Sequence, residues 1–402
     1  MMISRIADAL SPKDRARFAE AARVCGLWYL HNQNRPGQPW GGVDESADLG
    51  RFLYEYFPAT GRCRGTGVWS QGLAVCLLQA LSEAPQYEGT DSFAEAARLG
   101  AGYLLSLQYL DGRRPHAVGG FREHNPQDTW SYPRDGATGA FCLATLFRHT
   151  GTAEYLDRAK LFCEWYSGPG SNDEAWPHDF YDFEKAEGSC QVPGDWQAGG
   201  ALCYLYTAKG AGDGEWIDKG FRPVMRTLLE LGDPSTVDGT ADSWHGSSRI
   251  TVGNDDFATV ALMAAFLEFE DEQYLELARK RVRWMMSYQD EDGSFPNGGG
   301  TFVTAITLLE FIELAERLDL PDDTGEAARS MLRAARFGLT LQNRDPSDLR
   351  AYGGLWGQSN YGVGRDRIHN RSTSYAGNLF LRLAGEAAPC LSPLAWYGDG
   401  TG

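Results

Sequence analysis

The strongest constraint on the fold is an alternation in the lengths of the connections between helical segments. Apolar residues recur at three- and four-residue spacing and are interrupted at Gly and Pro clusters. They predict helices over 11–33, 67–84, 92–108, 135–149, 153–166, 195–208, 215–231, 255–269, 272–288, 300–317, 325–342 and 371–384. The links after even-numbered helices are short: 85–91, 150–152, 209–214, 270–271 and 318–324. Those after odd-numbered helices are mostly long: 34–66, 109–134, 167–194, 232–254, 289–299 and 343–370. Short links join antiparallel neighbours. The chain therefore reads as helical hairpins whose long loops all emerge on one side. No segment shows the sustained alternation of a strand.

The two helix classes differ in composition. Even helices are small and apolar, as in GVWSQGLAVCLLQAL, DWQAGGALCYLY and GGTFVTAITLLEFIEL, so they belong inside. Odd helices, such as QYLELARKRVRWMMSYQ, carry charge on one face and belong outside. Six inner and six outer helices, repeating at roughly 45–65 residues, predict an all-α fold. It is a single (α/α)6 toroid over residues 1–388, followed by a tail at 389–402. Gly and Ala at the inner-helix N-termini let six helices crowd one axis, and the long loops line the mouth.

Composition narrows the function. The chain has 402 residues, 37 basic and 54 acidic, for a net charge of −17. That balance excludes capture of nucleic acid by a basic face. Its 12 Trp, 18 Tyr and 19 Phe exclude a disordered chain. No window approaches the ~18 consecutive apolar residues of a membrane span. The first thirty residues lack a basic-then-apolar leader, and the eight cysteines form no CxxC, which fits reduced core thiols and a cytoplasmic enzyme. No cofactor or metal is called for. GAGDGE (210–215) is a tight turn rather than a phosphate loop, and GGVDESADLG lacks the spacing of an EF-hand, leaving Asp44, Glu45 and Asp48 as a capped turn.

Several odd helices end in a Gln-plus-glycine phrase: YLLSLQYLDGRRPHAVGGF, WMMSYQDEDGSFP, FGLTLQNRDPSDLRAYGGLWGQ and, in the first hairpin, LWYLHNQNRPGQPWGG. WMMSYQDEDGSFP resembles the QW repeat of squalene-hopene cyclases and related toroids. Its role there is structural: the Gln caps the helix end and the aromatic after the glycine packs on the neighbouring hairpin. GVWSQGLAVCLLQAL and PRDGATGAFCLATLFRHTGTAEYLDRAK resemble inner-helix phrases of six-hairpin glycosidases such as the unsaturated glucuronyl hydrolases. ITVGNDDFATVALM resembles a phrase of a toroid polysaccharide lyase family. This resemblance implies a carbohydrate-active enzyme with two acids about one hairpin apart. The competing resemblance, to terpenoid cyclases, is weakened because Gly253-Asn254-Asp255-Asp256 lacks the first acid of DxDD.

Candidate chemistry gathers at inner-helix starts. Asp135, Asp195 and the pair Asp255–Asp256 recur there. Each can simply cap its helix. At the rim of a toroid such carboxylates also point into the mouth, where two of them serve as general acid and general base. Asp135 and Asp195 are the first choice. His245 and His369 precede inner helices, and Tyr361, Arg365, His369, Asn370 and Arg371 fall in one stretch. A lyase or epimerase would use His245 or His369 with Tyr361 and Arg365: one group abstracts the proton alpha to a uronate carboxylate while Arg neutralises that carboxylate. Trp69, Trp130, Trp176, Trp196, Trp244 and Trp356 lie in or beside the same loops, with Gln71 and Tyr132, and suit the flat faces of sugars. Arg134, Arg249, Arg365, Arg367 and Arg371 tip the choice toward an anionic sugar.

The sequence thus predicts an enzyme acting on a small oligosaccharide that contains uronate, by hydrolysis, β-elimination or epimerisation. It has no nucleic-acid or membrane partner, and a homodimer is compatible with the sequence. A terpenoid cyclase or prenyl-transfer enzyme is the alternative, with Asp255 or Asp256 as its acid; a non-catalytic scaffold is the third reading.

Overall fold

The computed structural model describes residues 6, 9–37, 48–84, 87, 89–189, 195–232, 257–295, 300–320, 324–359, 362–385 and 391–398; for 195, 196, 358, 359 and 362–364 it describes the backbone alone. All twelve expected helices are present. They are α1 (Pro12–His31), α2 (Val68–Glu83), α3 (Thr90–Ser106), α4 (Pro133–Thr150) and α5 (Ala153–Tyr166). Next come α6 (Asp195–Gly199, resumed at Leu202–Ala211) and α7 (a π-helical turn Ile217–Phe221 running into Arg222–Leu231). The last five are α8 (Ala258–Phe269), α9 (Glu272–Met286), α10 (Gly300–Arg317), α11 (Thr324–Leu341) and α12 (Asn370–Ala384).

The even helices form a closed inner ring. Each packs on the next in the order α2, α4, α6, α8, α10 and α12, and α12 returns to α2. Small residues make this approach possible. A β-carbon at Gly139 of α4 would stand 2.7 Å from Val68 Cγ2 of α2. One at Gly377 of α12 would stand 2.5 Å from Leu77 Cδ2. The short links tie α2 to α3, α4 to α5, α6 to α7, α8 to α9 and α10 to α11, and the sixth hairpin is α12 against α1, made across the chain ends. The fold is a six-hairpin (α/α)6 toroid.

The Gln-plus-glycine phrases close the outer ring. At four of the hairpins the glutamine amide donates twice: once to a glycine carbonyl in its own loop and once to a backbone carbonyl of the next outer helix. Gln33 reaches Gly50 O (3.1 Å) and Ala96 O (2.8 Å). Gln108 reaches Gly119 O (2.9 Å) and Arg158 O (2.9 Å). Gln289 reaches Gly293 O (3.0 Å) and Ser330 O (2.9 Å). Gln342 reaches Gly353 O (3.1 Å) and Ala21 O (2.8 Å), joining α11 to α1 across the ends of the ring. Gly50 and Gly353 sit at φ +90° and +88°, and a β-carbon there would collide with the carbonyl oxygens of Leu99 and Val24. Only glycine fits such a position. Two residues on, Phe52, Phe121, Phe295 and Leu355 are buried in the core.

The absence of strands expected from the sequence is corrected. The long loops carry two small antiparallel sheets at the mouth. One has the order β2-β1-β7-β6, built from β1 (Leu53–Phe57), β2 (Arg62–Gly65), β6 (Trp356–Ser359) and β7 (Gly362–His369). The other is β3 (Trp130–Ser131), β4 (Phe180–Asp182) and β5 (Glu187–Ser189). These strands are two to eight residues long and interrupted by bulges, which leaves no periodicity to read. At the opposite rim, residues 391–398 pack under the ring rather than trailing from it. Tyr206 Oη donates to Leu391 O (2.7 Å), the Trp396 ring packs at a tilt on Tyr206 (5.5 Å), and Tyr397 Oη donates to Glu268 (2.9 Å). The six described cysteines are free, and no described helix is long and apolar enough to cross a membrane.

The glutamine latch predicts a graded loss of stability. Gln342→Ala removes the donor to Gly353 O and the second donor to Ala21 O, and should cost about 1–3 kcal/mol. Gly353→Ala should cost more, because it adds backbone strain and a collision. Denaturant titration of both variants checks this; an Ala at position 353 without effect would contradict it.

Candidate functional site

The N-termini of α2, α4 and α12 converge at the mouth. Trp69, in the first turn of α2, is their meeting point. The guanidinium carbons of Arg371 and Arg134 lie 5.0 Å and 5.7 Å from its ring centre, and Tyr375 of α12 packs beside it at 6.0 Å. Phe257, which precedes α8, reaches Tyr375 (5.7 Å) and Phe141 of α4 (5.9 Å). It does so from a left-handed backbone, φ 75°, a costly conformation for a phenylalanine. The floor of the mouth is therefore aromatic and its rim charged.

The start of α4 differs from a simple cap. The helix begins at Pro133, two residues earlier than expected, and its N-cap position is Tyr132. Asp135 stands in the first turn, and its Oδ1 pairs with Arg134 Nη1 at 2.9 Å instead of capping. The Asp135 side chain is 23% exposed, whereas that of Arg134 is 4% exposed, so the carboxylate is the member of the pair that reaches solvent.

Behind Asp135 lies Glu123, a residue the sequence reading missed. It is buried, and its Oε2 accepts the Tyr132 N–H (3.0 Å). Burial, and then the charge of Asp135, push its carboxyl well above the usual carboxylate range. A positional signal existed in the sequence. Glu123 stands two residues after the core aromatic of a latch, Phe121, as Tyr54 stands two after Phe52, and both positions reach the mouth.

An aromatic shelf leads to Asp135. Trp130 stacks on Phe180 (5.7 Å), and Tyr132 meets both rings edge-on, at 5.1 Å and 6.2 Å. Tyr132 is 43% exposed, and an exposed aromatic beside a carboxylate is a surface that a sugar face can cover. His124 packs edge-on against Trp130 (5.5 Å), and its Nε2 lies 3.3 Å from Arg64 Nη2. Burial, reinforced by Arg64, holds the His124 imidazole below its ordinary value.

The opposite wall is β1 and β7. Tyr54 lies under Arg64 (5.1 Å) and edge-on to His369 (4.7 Å). Burial raises its hydroxyl to about 12. Glu55 Oε1 pairs with Arg367 Nη1 (3.1 Å). His369 is 2% exposed, and its Nδ1 has no hydrogen-bond partner among the described residues. Burial, then Arg371, Arg367 and Arg64, hold its imidazole down to about 3. The expected place of His369 in the open mouth is corrected: its imidazole is buried in the wall beside Tyr54.

Gln71 is likewise corrected. It is buried; its Oε1 accepts from Phe52 N and Thr66 Oγ1, and its Nε2 donates to Gly50 O and Gly100 O. That fills the amide and leaves nothing for substrate. Trp176 is core, donating to Gln197 Oε1 (2.9 Å). Trp356 is half-buried against the core, and Arg365 is exposed on β7. His245, Trp244, Arg249, Asp255, Asp256 and Tyr361 lie outside the described residues; Asp195 and Trp196 open α6, where the backbone alone is described. Among the described residues no three His, Cys, Asp or Glu side chains gather to hold a metal ion.

No family model matches the chain, and no curated protein matches it. Solved structures do. Cellobiose 2-epimerase from Spirochaeta thermophila aligns over 93% of this chain and 98% of its own, with TM-score 0.62 and 15% identity. A family 76 α-mannanase from Bacteroides thetaiotaomicron aligns over 91% and 95%, with TM-score 0.64 and 11% identity. An α-1,6-mannanase from Salegentibacter, made inactive by replacing two adjacent aspartates and bound to α-1,6-mannotetrose, aligns over 93% and 99%, with TM-score 0.57 and 14% identity. At these identities the likeness establishes the shared toroid fold.

His369 generates a pH prediction. The unfolded chain takes up a proton near 6.5 that the folded imidazole refuses until about 3. The unfolded state therefore binds more protons in that window, so stability should fall as pH drops through it. Denaturant titrations at pH 7 and pH 4.5 should show a smaller acid loss for His369→Gln than for the parent. An equal loss would contradict the buried neutral imidazole.

Proposed function

We propose that the toroid mouth binds an oligosaccharide carrying an acidic sugar and acts on it by acid–base chemistry, with Asp135 as a proton-transfer group. One observation carries this reading: the exposed Tyr132, packed on the half-buried Trp130, stands beside Asp135, which pairs with Arg134 and shares the surroundings of Tyr54 with Arg371 and Arg64. In a chain of net charge −17, this gathering of guanidinium groups among the described residues suits a carboxylate on the substrate. The aromatic rings supply stacking for the sugar, and the arginines supply fixed charge where negative charge sits or develops.

Hydrolysis is the reaction we favour. Asp135 and Asp195 start successive inner helices and form the acid–base pair, one protonating the departing oxygen while the other activates water. Asp255 and Asp256 are adjacent aspartates directly preceding Phe257, and the inactive mannanase neighbour lacks such a pair. They are the second candidate acids. Trp196, Trp244 and Arg249 would extend the sugar site. β-Elimination and epimerisation would instead use His245 or His369 with Tyr361 and Arg365 around the acidic proton. The cellobiose 2-epimerase neighbour favours keeping epimerisation in the test. A terpenoid substrate fits poorly, since guanidinium groups at the rim would face an apolar chain.

The test is a panel of saturated and 4,5-unsaturated uronate oligosaccharides with neutral counterparts, followed by near-ultraviolet absorbance and product chromatography. Loss of the enol-ether absorbance signals hydrolysis of an unsaturated uronyl group, its gain signals elimination, and new reducing ends at constant absorbance signal hydrolysis of a saturated link. Asp135→Asn should lower turnover about 10²–10⁴-fold. An acidic panel left wholly untouched would overturn the proposal.

A further inference from the structure

We infer that Glu123 is a positioning residue for Asp135: a neutral carboxyl whose O–H donates to the Asp135 carboxylate and aims it into the mouth. This rests on the reading of Asp135 as the proton-transfer group. The backbone at Glu123 is fixed from two sides, its N–H donating to Trp130 O (3.2 Å) and its carbonyl accepting from Val68 N (2.8 Å). The side chain is thereby wedged between the starts of α2 and α4 and is 4% exposed. Its Oε2 accepts the N–H of Tyr132, the N-cap of the helix whose third residue is Asp135, which brings the two carboxyl groups side by side at the start of α4. Two carboxyl groups joined by a hydrogen bond share one proton, because a carboxylate can only accept.

The environment decides which group keeps that proton. Asp135 has Arg134 at 2.9 Å and access to solvent, and both favour its charged form. Glu123 is buried, with Asp135 and then Asp128 adding like charge that disfavours its ionisation. Among the described residues, the other charged or titratable groups around the pair are His124 on the same loop, Arg64 on β2, Tyr54 on β1, Tyr166 on α5 and Arg371 on α12. None changes the assignment: the arginines lie toward Trp69, His124 and Tyr54, and His124 is held neutral by burial. A neutral donor from Glu123 keeps Asp135 charged and fixes its rotamer, which leaves the oxygen facing the mouth to exchange protons with substrate or water.

The test is infrared difference spectroscopy of the full chain in heavy water at pH 7. The spectrum of the parent minus that of Glu123→Gln should contain one protonated-carboxyl C=O band, and Asp135→Asn should shift that band by replacing its acceptor. The difference step separates Glu123 from Glu310, another buried carboxyl whose value is raised by burial. No such band at pH 7, or a band that Asp135→Asn leaves in place, overturns the inference. Gln retains an acceptor for Tyr132 N and a donor for Asp135, so the variant should fold; should it not, the Asp135→Asn shift against the parent decides alone. No sugar is present in the measurement, so its outcome is independent of the oligosaccharide activity.

Discussion

In a ring of helical hairpins each hairpin must be fastened to the next, and among the described residues the two small sheets at the mouth join only some of the long loops. Here a glutamine side chain does so at four hairpins, by two backbone carbonyls taken from different hairpins. The acceptors in the next helix, Ala96, Arg158, Ser330 and Ala21, stand three residues before Leu99, Leu161, Arg333 and Val24, whose carbonyls press on Gly50, Gly119, Gly293 and Gly353. The spacing is the same each time. Hydrogen bond and close approach are thus one device, and it requires both an amide and a residue without a β-carbon. The pairing of Gln342 with α1 brings the last outer helix onto the first, which turns a row of hairpins into a closed toroid.

The latch also sets the mouth. It buries an aromatic or leucine two residues after the glycine and releases the chain toward the axis two residues later. Tyr54 and Glu123 emerge in this way, one from each of two successive loops, and face the helix starts that carry Trp69, Arg134, Asp135 and Arg371. The inner helices contribute aromatic floor and charge through their first turns, and the loops contribute walls. The rigid part of the site is built by packing that has no chemical role, which leaves the charged groups free to be arranged by burial and pairing. Charges placed close together here do not simply cancel. Arg134 pairs with Asp135, Arg367 pairs with Glu55, and burial disfavours the charged forms of Glu123 and His369, so among the described residues guanidinium groups outnumber ionised carboxylates around Trp69.

Much of this was legible in the sequence because it is periodic. Helix number, the inner and outer classes and the side on which loops gather all follow from repeats; the Gln of the Gln-plus-glycine phrase was expected to cap its own helix end, whereas its amide ties one hairpin to the next. Asp135 was legible by its place at an inner-helix start, although its partner, Arg134, was not distinguished from other rim arginines. The strands were not legible, since Trp130–Ser131 or Glu187–Ser189 is too short to show alternation. Gln71 and His369 were misread because a polar residue beside a mouth and one sealed behind it look alike in sequence; only packing tells them apart. Glu123 was missed because no motif surrounds it, and its meaning comes from Asp135, twelve residues away.

The most direct test of the account is calorimetric titration of the catalytically silenced Asp135→Asn chain with an acidic oligosaccharide and with a neutral one of equal length. Selective binding of the acidic sugar, weakening as salt is raised and lost when Arg371 is replaced by Ala, is the predicted result. Equal affinity for the two sugars, or no binding of either, would contradict a cationic sugar site in the toroid mouth.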